Sequence, residues 1–234
     1  MKILIFGGSG GIGLAIIKQL LTQGDNHVVA TYHAHCPAYR HPQLEWQALD
    51  ITNEAQLLSL SATVGSLDWV INCVGVLHDS SHQPEKNLKS IDRDWFLTSI
   101  ETNALPTLLI AKHFGANLKP SLFAKLAVVS ARVGSISDNK LGGWYSYRSS
   151  KAALNMLIKG ISIEWRRLLP QACVLALHPG TTDTQLSAPF QANVAAGKLF
   201  SPEYVADCFI KLIEQSTPED SGIFLAYDGS VIAW

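Results

Sequence analysis

Tyr147 and Lys151 are the residues whose types and spacing most directly suggest acid–base chemistry. They are four positions apart near the start of a predicted helix, so both side chains lie on one helical face. A phenol has a pKa of about 10, and an ammonium group one turn away favours its phenolate form. Tyr147 is therefore a candidate general acid–base. The same spacing also occurs by chance in structural helices, so the interpretation depends on what surrounds the pair.

A glycine-rich loop is the second feature that points to chemistry. The run Gly7-Gly8-Ser9-Gly10-Gly11-Ile12-Gly13 follows the first predicted strand and opens the first predicted helix. Glycines there permit a tight turn and bring backbone N–H groups close to a pyrophosphate at the positive end of the helix dipole. A flexible loop would have a similar composition, but the position between a strand and a helix favours a nucleotide site.

The end of the second predicted strand bears on which dinucleotide is preferred. In dinucleotide-binding folds an Asp or Glu at this point hydrogen-bonds the free 2′-hydroxyl of the adenosine ribose. Residues 30–35 contain no acid, and His33 could face a 2′-phosphate, with Arg40 further along the same loop. NADP(H) is therefore favoured over NAD(H). The alternative, that His33 and His35 are solvated loop residues, stays open.

The elements that must position these residues alternate along the chain. Short apolar runs predict strands, buried on both faces, at 2–6, 27–31, 68–72, 124–130, 172–177 and 223–226. Longer amphipathic stretches predict helices at 11–23, 53–63, 91–118, 144–168 and 201–215. This alternation predicts an α/β fold, a doubly wound parallel sheet of the Rossmann type, in one domain spanning 1–234.

Two segments without a clear period follow the strands that should carry the site. In a doubly wound sheet, ligands bind at the carboxyl ends of the strands. The polar segment 77–90 and the segment 188–199 are therefore expected to shape the substrate pocket, together with Trp144 and Tyr145. Segment 188–199 is either a mobile flap over the site or an ordinary surface connection.

Composition argues against several other classes of protein. Of 234 residues, 47% are hydrophobic and 16% charged, and the formal charge is −1, so neither disorder nor a nucleic-acid or anionic-membrane partner is favoured. The apolar run before the first glycine is only four residues long, too short for a signal peptide or a membrane span, so a cytoplasmic location is expected. No C-x-x-C pair suggests a zinc site or a disulfide scaffold, and we expect no metal and reduced cysteines.

Five motifs, taken in order, resemble those of the short-chain dehydrogenase/reductase family. They are the glycine run at 7–13, Asn72-Cys73-Val74-Gly75, Asn103, Tyr147-Arg148-Ser149-Ser150-Lys151 and the run 178–184. The resemblance spans essentially the whole chain. Residues 131–157 and the tail 227–234 are similar to the branch that contains the bacterial C-factor signalling proteins and the sniffer-type carbonyl reductases.

The resemblance implies a dinucleotide site at the matching positions. The glycine loop would line the pyrophosphate, the pair at 50–51 would lie beside adenine, positions 72 and 75 would support the sheet and the nicotinamide ribose, and the turn at 179–184 would hold the nicotinamide. The residues so implied are Gly7, Ser9, Gly11, Ile12, Gly13, Asp50, Ile51, Asn72, Gly75, Pro179, Gly180, Thr182 and Thr184. Asp50 could instead cap the helix near Asn53, and the turn at 179–180 could be structural only.

For catalysis, the resemblance implies a relay around Tyr147. Lys151 would bind the ribose hydroxyls and keep the phenol pKa low, and Asn103 would hold a water that links Lys151 to solvent. Asn103 as a simple helix amide is the alternative. The expected chemistry is reversible hydride transfer between a nicotinamide cofactor and a small carbonyl or alcohol substrate, with Tyr147 exchanging the proton.

The carbonyl-polarising serine of the family is the exception to this match. In the family it is usually the second serine of a Ser-Ser pair, three residues before a glycine, and that position is Ala131 in this chain. Ser130 and Ser135 are both able to replace it, and we favour Ser130. The displaced serine also motivates a rival function, a dinucleotide-binding signalling or regulatory protein of the C-factor kind with vestigial catalysis. The intact Tyr147 and Lys151 argue against that rival.

The long predicted helices also bear on assembly. Segments 91–118 and 144–168 resemble helices that pack across two-fold interfaces in this family, so a homodimer or homotetramer is expected. Their apolar residues could equally be used against the chain's own sheet.

Overall fold

A computed structural model describes residues Met1–Trp234. Its centre is a seven-stranded sheet in which every strand pair is parallel, with strand order β3-β2-β1-β4-β5-β6-β9. The strands are β1 (Lys2–Phe6), β2 (His27–Tyr32), β3 (Leu44–Ala48), β4 (Trp69–Asn72), β5 (Lys125–Val129), β6 (Cys173–His178) and β9 (Ile223–Ala226). Two short strands, β7 (Thr181–Thr182) and β8 (Leu199–Phe200), pair with each other apart from this sheet.

Helices cover both faces of the sheet. They are α1 (Gly11–Thr22), α2 (Glu54–Val64), α3 (Arg93–Asn103), α4 (Leu105–Leu118), α5 (Tyr145–Leu168) and α6 (Pro202–Gln215). Side chains of α2, α4 and α5 contribute to one hydrophobic core, and those of α1 and α6 to a second. The α/β fold with a doubly wound parallel sheet is therefore confirmed.

Strand β1 shows why the predicted strands are continuous apolar runs. Alternate side chains of a strand point to opposite faces of the sheet. Leu4 and Phe6 belong to the core under α2, α4 and α5, whereas Ile3 and Ile5 belong to the core under α1 and α6. All four are fully buried, so neither face of the strand tolerates a polar residue.

The strand order reverses direction beside β1, and this creates the crevice for a ligand. From β1 the chain first builds outward through β2 and β3, and then returns to place β4 on the other side of β1. Phe6 at the end of β1 pairs in register with Asn72 at the end of β4. The loops that follow these two strands therefore diverge at one edge, which is the binding position in doubly wound sheets.

The predicted helix over 91–118 is wrong as a single element. Helix α3 ends at Asn103 and α4 begins at Leu105, with Ala104 between them at φ −112° and ψ −56°. Pro106 lies in the first turn of α4. A proline cannot donate a backbone hydrogen bond and disfavours helical geometry at the residue before it, so the helix is interrupted there.

Two further elements differ from the sequence-based prediction. Strand β3 was not predicted, because it is an edge strand whose residues are only partly buried and its sequence, LEWQA, is mixed in polarity. Segment 188–199 contains a short 3-10 helix at Ala188–Asn193 and enters β8 at its end.

No helix is both long enough and apolar enough to span a bilayer. The cytoplasmic location stays a prediction.

Candidate active site

A cavity of about 740 Å³ opens at the carboxyl ends of the central strands. It is bounded by the glycine loop, the ends of β4 and β5, the first turn of α5 and the segment after β6. The predicted site residues that line it are Ser9, Gly11, Ile12, Gly13, Gly75, Ser130, Tyr147, Lys151, Pro179, Gly180, Thr182 and Thr184. Residues from separate parts of the chain are thus brought to one chamber.

Six other predicted residues, at positions 7, 33, 50, 51, 72 and 103, do not line this cavity. Gly7 and Asn72 hold residues that do line it: Gly7 O accepts a hydrogen bond from Gly10 N–H, and Asn72 Oδ1 accepts one from Val74 N–H at 3.0 Å. Ile51 is buried in the core. Gly7 and Asn72 thus support the loops around the cavity. Direct contact with a cofactor stays a prediction for all the cofactor-binding residues in this group.

His33 and Asp50 lie near each other beyond the end of β2. His33 is exposed, and the Asp50 carboxylate accepts hydrogen bonds from Thr52 N–H and Oγ at 2.9 and 2.7 Å. These bonds, and to a smaller extent the nearby His33, lower the pKa of Asp50. Asn53 is the N-cap of α2, so Asp50 does not cap that helix. The Arg40 guanidinium is bonded to its own loop, at Tyr39 O and Pro37 O.

The glycine loop is shaped for an anionic ligand. A Cβ atom at Gly13 would overlap Gly7 O, and one at Gly11 would lie 2.7 Å from Thr184 Cγ2, so side chains are excluded. The backbone N–H groups of Gly11, Ile12 and Gly13 begin α1 and donate to no other group of the chain. Free donors at the positive end of a helix dipole are suited to a pyrophosphate, so the residues present fit a dinucleotide.

Helix α5 presents Lys151 beneath Tyr147, as predicted. Lys151 Nζ lies 5.9 Å from the centroid of the Tyr147 ring and donates to Val129 O at 3.1 Å, at the end of β5. Lys151 is 3% exposed, and this burial lowers its pKa from 10.5 to about 8. A fixed ammonium group is thus held at the floor of the cavity with little water around it.

The pKa of Tyr147 moves opposite to the direction expected from the sequence. Burial raises the pKa of the phenol above its ordinary value. The phenolate would lose water on forming, and this loss outweighs the attraction of the Lys151 ammonium, which lies 5.9 Å from the ring centroid. In the chain by itself, Tyr147 is therefore a protonated phenol at neutral pH, the form that can donate a proton.

Asn103 joins the loop after β4 to helix α5. Its Oδ1 accepts from Val76 N–H at 2.7 Å, and its Nδ2 donates to Val76 O at 2.8 Å and to Ser150 Oγ at 2.9 Å. A Cβ at Gly75 would lie 3.3 Å from Lys151 Nζ and 3.4 Å from Asn103 Oδ1. Because glycine has no side chain, a space remains at Gly75 between Lys151 Nζ and Asn103 Oδ1.

The structure separates the two candidate serines. Ser130 lines the cavity, is 2% exposed and donates through Oγ to Asn155 Oδ1 at 2.6 Å. Ser135 Oγ donates to Ala233 O at 2.5 Å, in the C-terminal tail, and does not line the cavity. Ala131, at the family's usual serine position, also lines the cavity, so Ser130 is the one of the two candidate serines that shares a cavity with Tyr147.

Trp144, a predicted pocket residue, lines the cavity, and it is held by a residue that the sequence did not single out, Glu85. Trp144 has φ 53° and packs its ring 5.2 Å from Phe190 and 6.3 Å from Tyr147. Its conformation is held by Glu85, a buried acid in segment 77–90 whose carbonyl accepts from Trp144 N–H at 2.5 Å. The Glu85 carboxylate accepts from Ser146 N–H at 3.2 Å and from Ser146 Oγ. A lone Glu in a polar segment carries no pattern that would predict this.

Replacing Glu85 with Ala should lower the free energy of unfolding by about 1–3 kcal/mol, because it leaves the buried Ser146 donors without an acceptor. The carboxylate also faces the positive end of the α5 dipole. Urea unfolding of the two proteins measures the difference. Glu203→Ala, at an exposed position in the first turn of α6, is the control and should change stability by less than about 0.5 kcal/mol. Equal effects of both substitutions would contradict a specific role for Glu85.

His178, at the end of β6, also lines the cavity. Its Nδ1 accepts from Arg132 N–H at 3.3 Å, which requires that nitrogen to be unprotonated. Burial, and secondly the Arg132 charge, lower its pKa from 6.5 to about 4. His178 is thus neutral at physiological pH.

The depressed pKa of His178 should make the fold sensitive to acid. Between pH 6.5 and 4 the unfolded chain binds a proton at this site that the native chain does not, so stability falls as pH falls. We expect His178 to account for a loss of about 2 kcal/mol between pH 7 and 5. His178→Gln should reduce the loss by that amount in urea unfolding, whereas replacement of the exposed His35 should not. Parallel pH profiles for the His178 variant and the parent would disprove this.

Fold and cavity together define a dinucleotide-binding α/β protein, and comparison with known proteins places it in a family. The family described as short chain dehydrogenase matches residues 1–195. The 1-hydroxy-2-glutathionyl-2-methyl-3-butene dehydrogenase of Rhodococcus sp. (strain AD45) is 31% identical over 236 residues, 99% of each chain. The chain belongs to the short chain dehydrogenase family. It is an NAD(P)H-dependent oxidoreductase that acts on a small-molecule substrate.

The resemblance to the C-factor and sniffer branch is also confirmed. C-signal of Myxococcus xanthus is 35% identical over 133 residues, covering 56% of this chain and 74% of that protein. The carbonyl reductase Sniffer of D. melanogaster has the same fold, with a TM-score of 0.87 and 23% identity over 100% of this chain and 99% of that chain. The NADPH-bound carbonyl reductase from chicken fatty liver superposes with a TM-score of 0.86 and 26% identity, covering 100% and 94%.

Proposed function

We propose that the protein interconverts a small carbonyl compound and its alcohol, with Tyr147 as general acid–base. The observation that carries the proposal is that Tyr147, Lys151 and the glycine loop line one cavity. When bound, the nicotinamide dinucleotide supplies or accepts the hydride. In the reducing direction Tyr147 gives its proton to the oxygen of the carbonyl as that oxygen gains charge, and the product is the alcohol.

Lys151 and Asn103 are proposed to return the proton to Tyr147. The Lys151 ammonium lies under the phenol ring and stabilises the tyrosinate left after proton donation. The space beside Gly75, bounded by Lys151 Nζ and Asn103 Oδ1, is proposed to hold a water that leads to solvent. Asn103 has one Oδ1 lone pair that its bond from Val76 N–H leaves free, so it can accept from that water.

We propose NADP(H) as the preferred cofactor. No acid directly follows β2 in the sequence, and the exposed His33 lies just beyond the end of β2, the point at which dinucleotide-binding folds select the adenosine ribose. The chicken carbonyl reductase of similar fold is described as NADPH-bound. The cofactor contacts assigned to Asp50 and Ile51 from the family resemblance belong to this proposal as well.

A panel of aldehydes, diketones and quinones, assayed with NADPH and in parallel with NADH, tests both proposals. Loss of reduced-cofactor absorbance with at least one carbonyl is the expected result, with a higher kcat/KM for NADPH. No turnover of any carbonyl with either cofactor would contradict carbonyl reduction by this site. A higher kcat/KM for NADH would contradict the cofactor preference alone.

We also propose that the protein forms a homodimer or homotetramer. Helices α3, α4 and α5 expose apolar side chains away from the two cores, at Leu97, Leu108, Met156 and Ile163, which are 48%, 41%, 71% and 56% exposed. Such residues are suited to a self-complementary contact between copies. Sedimentation equilibrium should give twice or four times the mass of one chain, and a monomer at micromolar concentration would contradict this.

A further inference from the structure

Ser130 lines the cavity that contains Tyr147, but its hydroxyl proton points to Asn155, which does not line that cavity. A hydroxyl has one proton to donate, and that of Ser130 is directed at Asn155 Oδ1, 2.6 Å away. Ser130 in this state can accept a hydrogen bond from a substrate but cannot donate one. Since Ala131 carries no hydroxyl, neither position 130 nor position 131 donates a hydrogen bond to the oxygen that becomes negative during reduction.

Asn155 is on the same face of α5 as the acid–base pair, four residues after Lys151 and eight after Tyr147. It is 3% exposed. Its Nδ2 has no hydrogen-bond partner in the chain, although buried amide N–H groups are almost always paired. The amide that receives the Ser130 proton therefore has an unused donor on its other atom.

A half-turn of the Asn155 amide about its Cβ–Cγ bond exchanges the positions of Oδ1 and Nδ2. Nδ2 then faces Ser130 Oγ and donates to it, and the atom left without a partner is a carbonyl oxygen, which is less rare than an unpaired N–H. The Ser130 proton is released from Asn155 and can turn toward the cavity. No other side chain has to move for this exchange.

We propose that Asn155 is a positioning residue that makes Ser130 the donor to the substrate oxygen. In the reacting protein Asn155 Nδ2 donates to Ser130 Oγ, and Ser130 donates to the oxygen of the carbonyl. No bond is made or broken in this step, since the hydroxyl only shares the negative charge until Tyr147 protonates the oxygen. The pair Ser130 and Asn155 thereby replaces a serine at position 131. This inference rests on the proposed carbonyl reduction.

The test compares S130A, N155D and the double variant in two backgrounds, the parent and A131S. A carboxylate at 155 can only accept, so it keeps the Ser130 proton away from the cavity. S130A and N155D should each lower kcat by about 10²–10³, with KM changed less than about threefold. The double variant should be no slower than S130A, because both substitutions remove the same donor, the Ser130 hydroxyl.

The A131S background distinguishes positioning from structural support. A serine at 131 should supply the donor directly, so S130A and N155D should each cost less than about tenfold in kcat there. A purely structural role for Asn155 would lower Tm and dinucleotide affinity equally in both backgrounds, with no rescue. If N155D does not fold, N155L is used instead: it removes the amide donor, so kcat should fall by about tenfold or more in the parent and by less than about threefold in A131S, and equal losses in both backgrounds would overturn the inference.

Three results would overturn the inference: N155D with kcat within a few-fold of the parent, independent multiplicative losses in the double variant, or no rescue by A131S. These results are distinct from failure of the proposed function. A parent protein without turnover on the carbonyl panel removes the function and the inference together. An active parent whose variants show any of the three patterns leaves carbonyl reduction standing and removes only the role of Asn155.

Discussion

Tyr147→Phe should lower kcat by about 10⁴ while leaving the dinucleotide affinity within about threefold. The substitution removes a single oxygen from the cavity, and with it the proton that the substrate oxygen must receive. The ring remains, so its packing against Trp144 is retained. Loss of NADPH absorbance with the best carbonyl measures kcat, and quenching of protein fluorescence on titration measures dinucleotide affinity.

The matched control for this prediction is Tyr145→Phe. Tyr145 is a tyrosine two positions earlier in the first turn of α5, and it does not line the cavity. Its substitution should leave kcat within a few-fold of the parent. Normal activity of Tyr147→Phe, or an equal loss in both variants, would remove the proposed mechanism.

Lys151→Met should have two effects of opposite sign. We expect kcat to fall by about 10²–10³, because the ammonium that favours tyrosinate and returns its proton is gone. We expect the unliganded protein to become more stable by about 1–3 kcal/mol at pH 7, because burial of this ammonium is unfavourable. A residue kept at a cost to stability is typical of functional sites.

The pH dependence of the stability difference follows from the pKa of Lys151, about 8 in the native chain against 10.5 for an unperturbed lysine. Below pH 8 both states are charged and the native state bears the full cost. From pH 8 to 10.5 only the unfolded chain holds the proton, so the parent gains stability with rising pH, and above 10.5 the cost is gone. Urea unfolding should therefore show a smaller difference in stability between the Lys151→Met protein and the parent at pH 10 than at pH 7.

Lys140→Met, at an exposed position, is the control for the loss of a charge alone. It should change stability by less than about 0.5 kcal/mol at both pH values. A Lys151→Met protein less stable than the parent at pH 7 would show that contacts such as the one to Val129 O outweigh the cost of burial.

Local patterns were sufficient for most of the fold. The run at 2–6 has no polar residue after Lys2, and a strand with Leu4 and Phe6 on one core and Ile3 and Ile5 on the other can have none. The break at Ala104 and the edge strand β3 were missed for the opposite reason. The helical period continues on both sides of Pro106 and hides the break. The residues of β3 are half-buried and mixed in polarity, so they lack the apolar run that marks the other strands.

The types and order of the chemical groups are properties of the sequence itself: a glycine loop after a strand, a phenol one helical turn from a lysine, and an alanine in place of a serine. Each follows from spacing along the chain, because helices and strands have fixed periods.

Which groups meet, and in which state, was decided only by tertiary structure. Ser130 and Asn155 are 25 positions apart and belong to different elements, and Ser135 is turned to the C-terminal tail. The raised pKa of Tyr147 and the lowered pKa of Lys151 come from loss of water. Burial depends on every layer packed around a group, so no run of neighbouring residues can specify it.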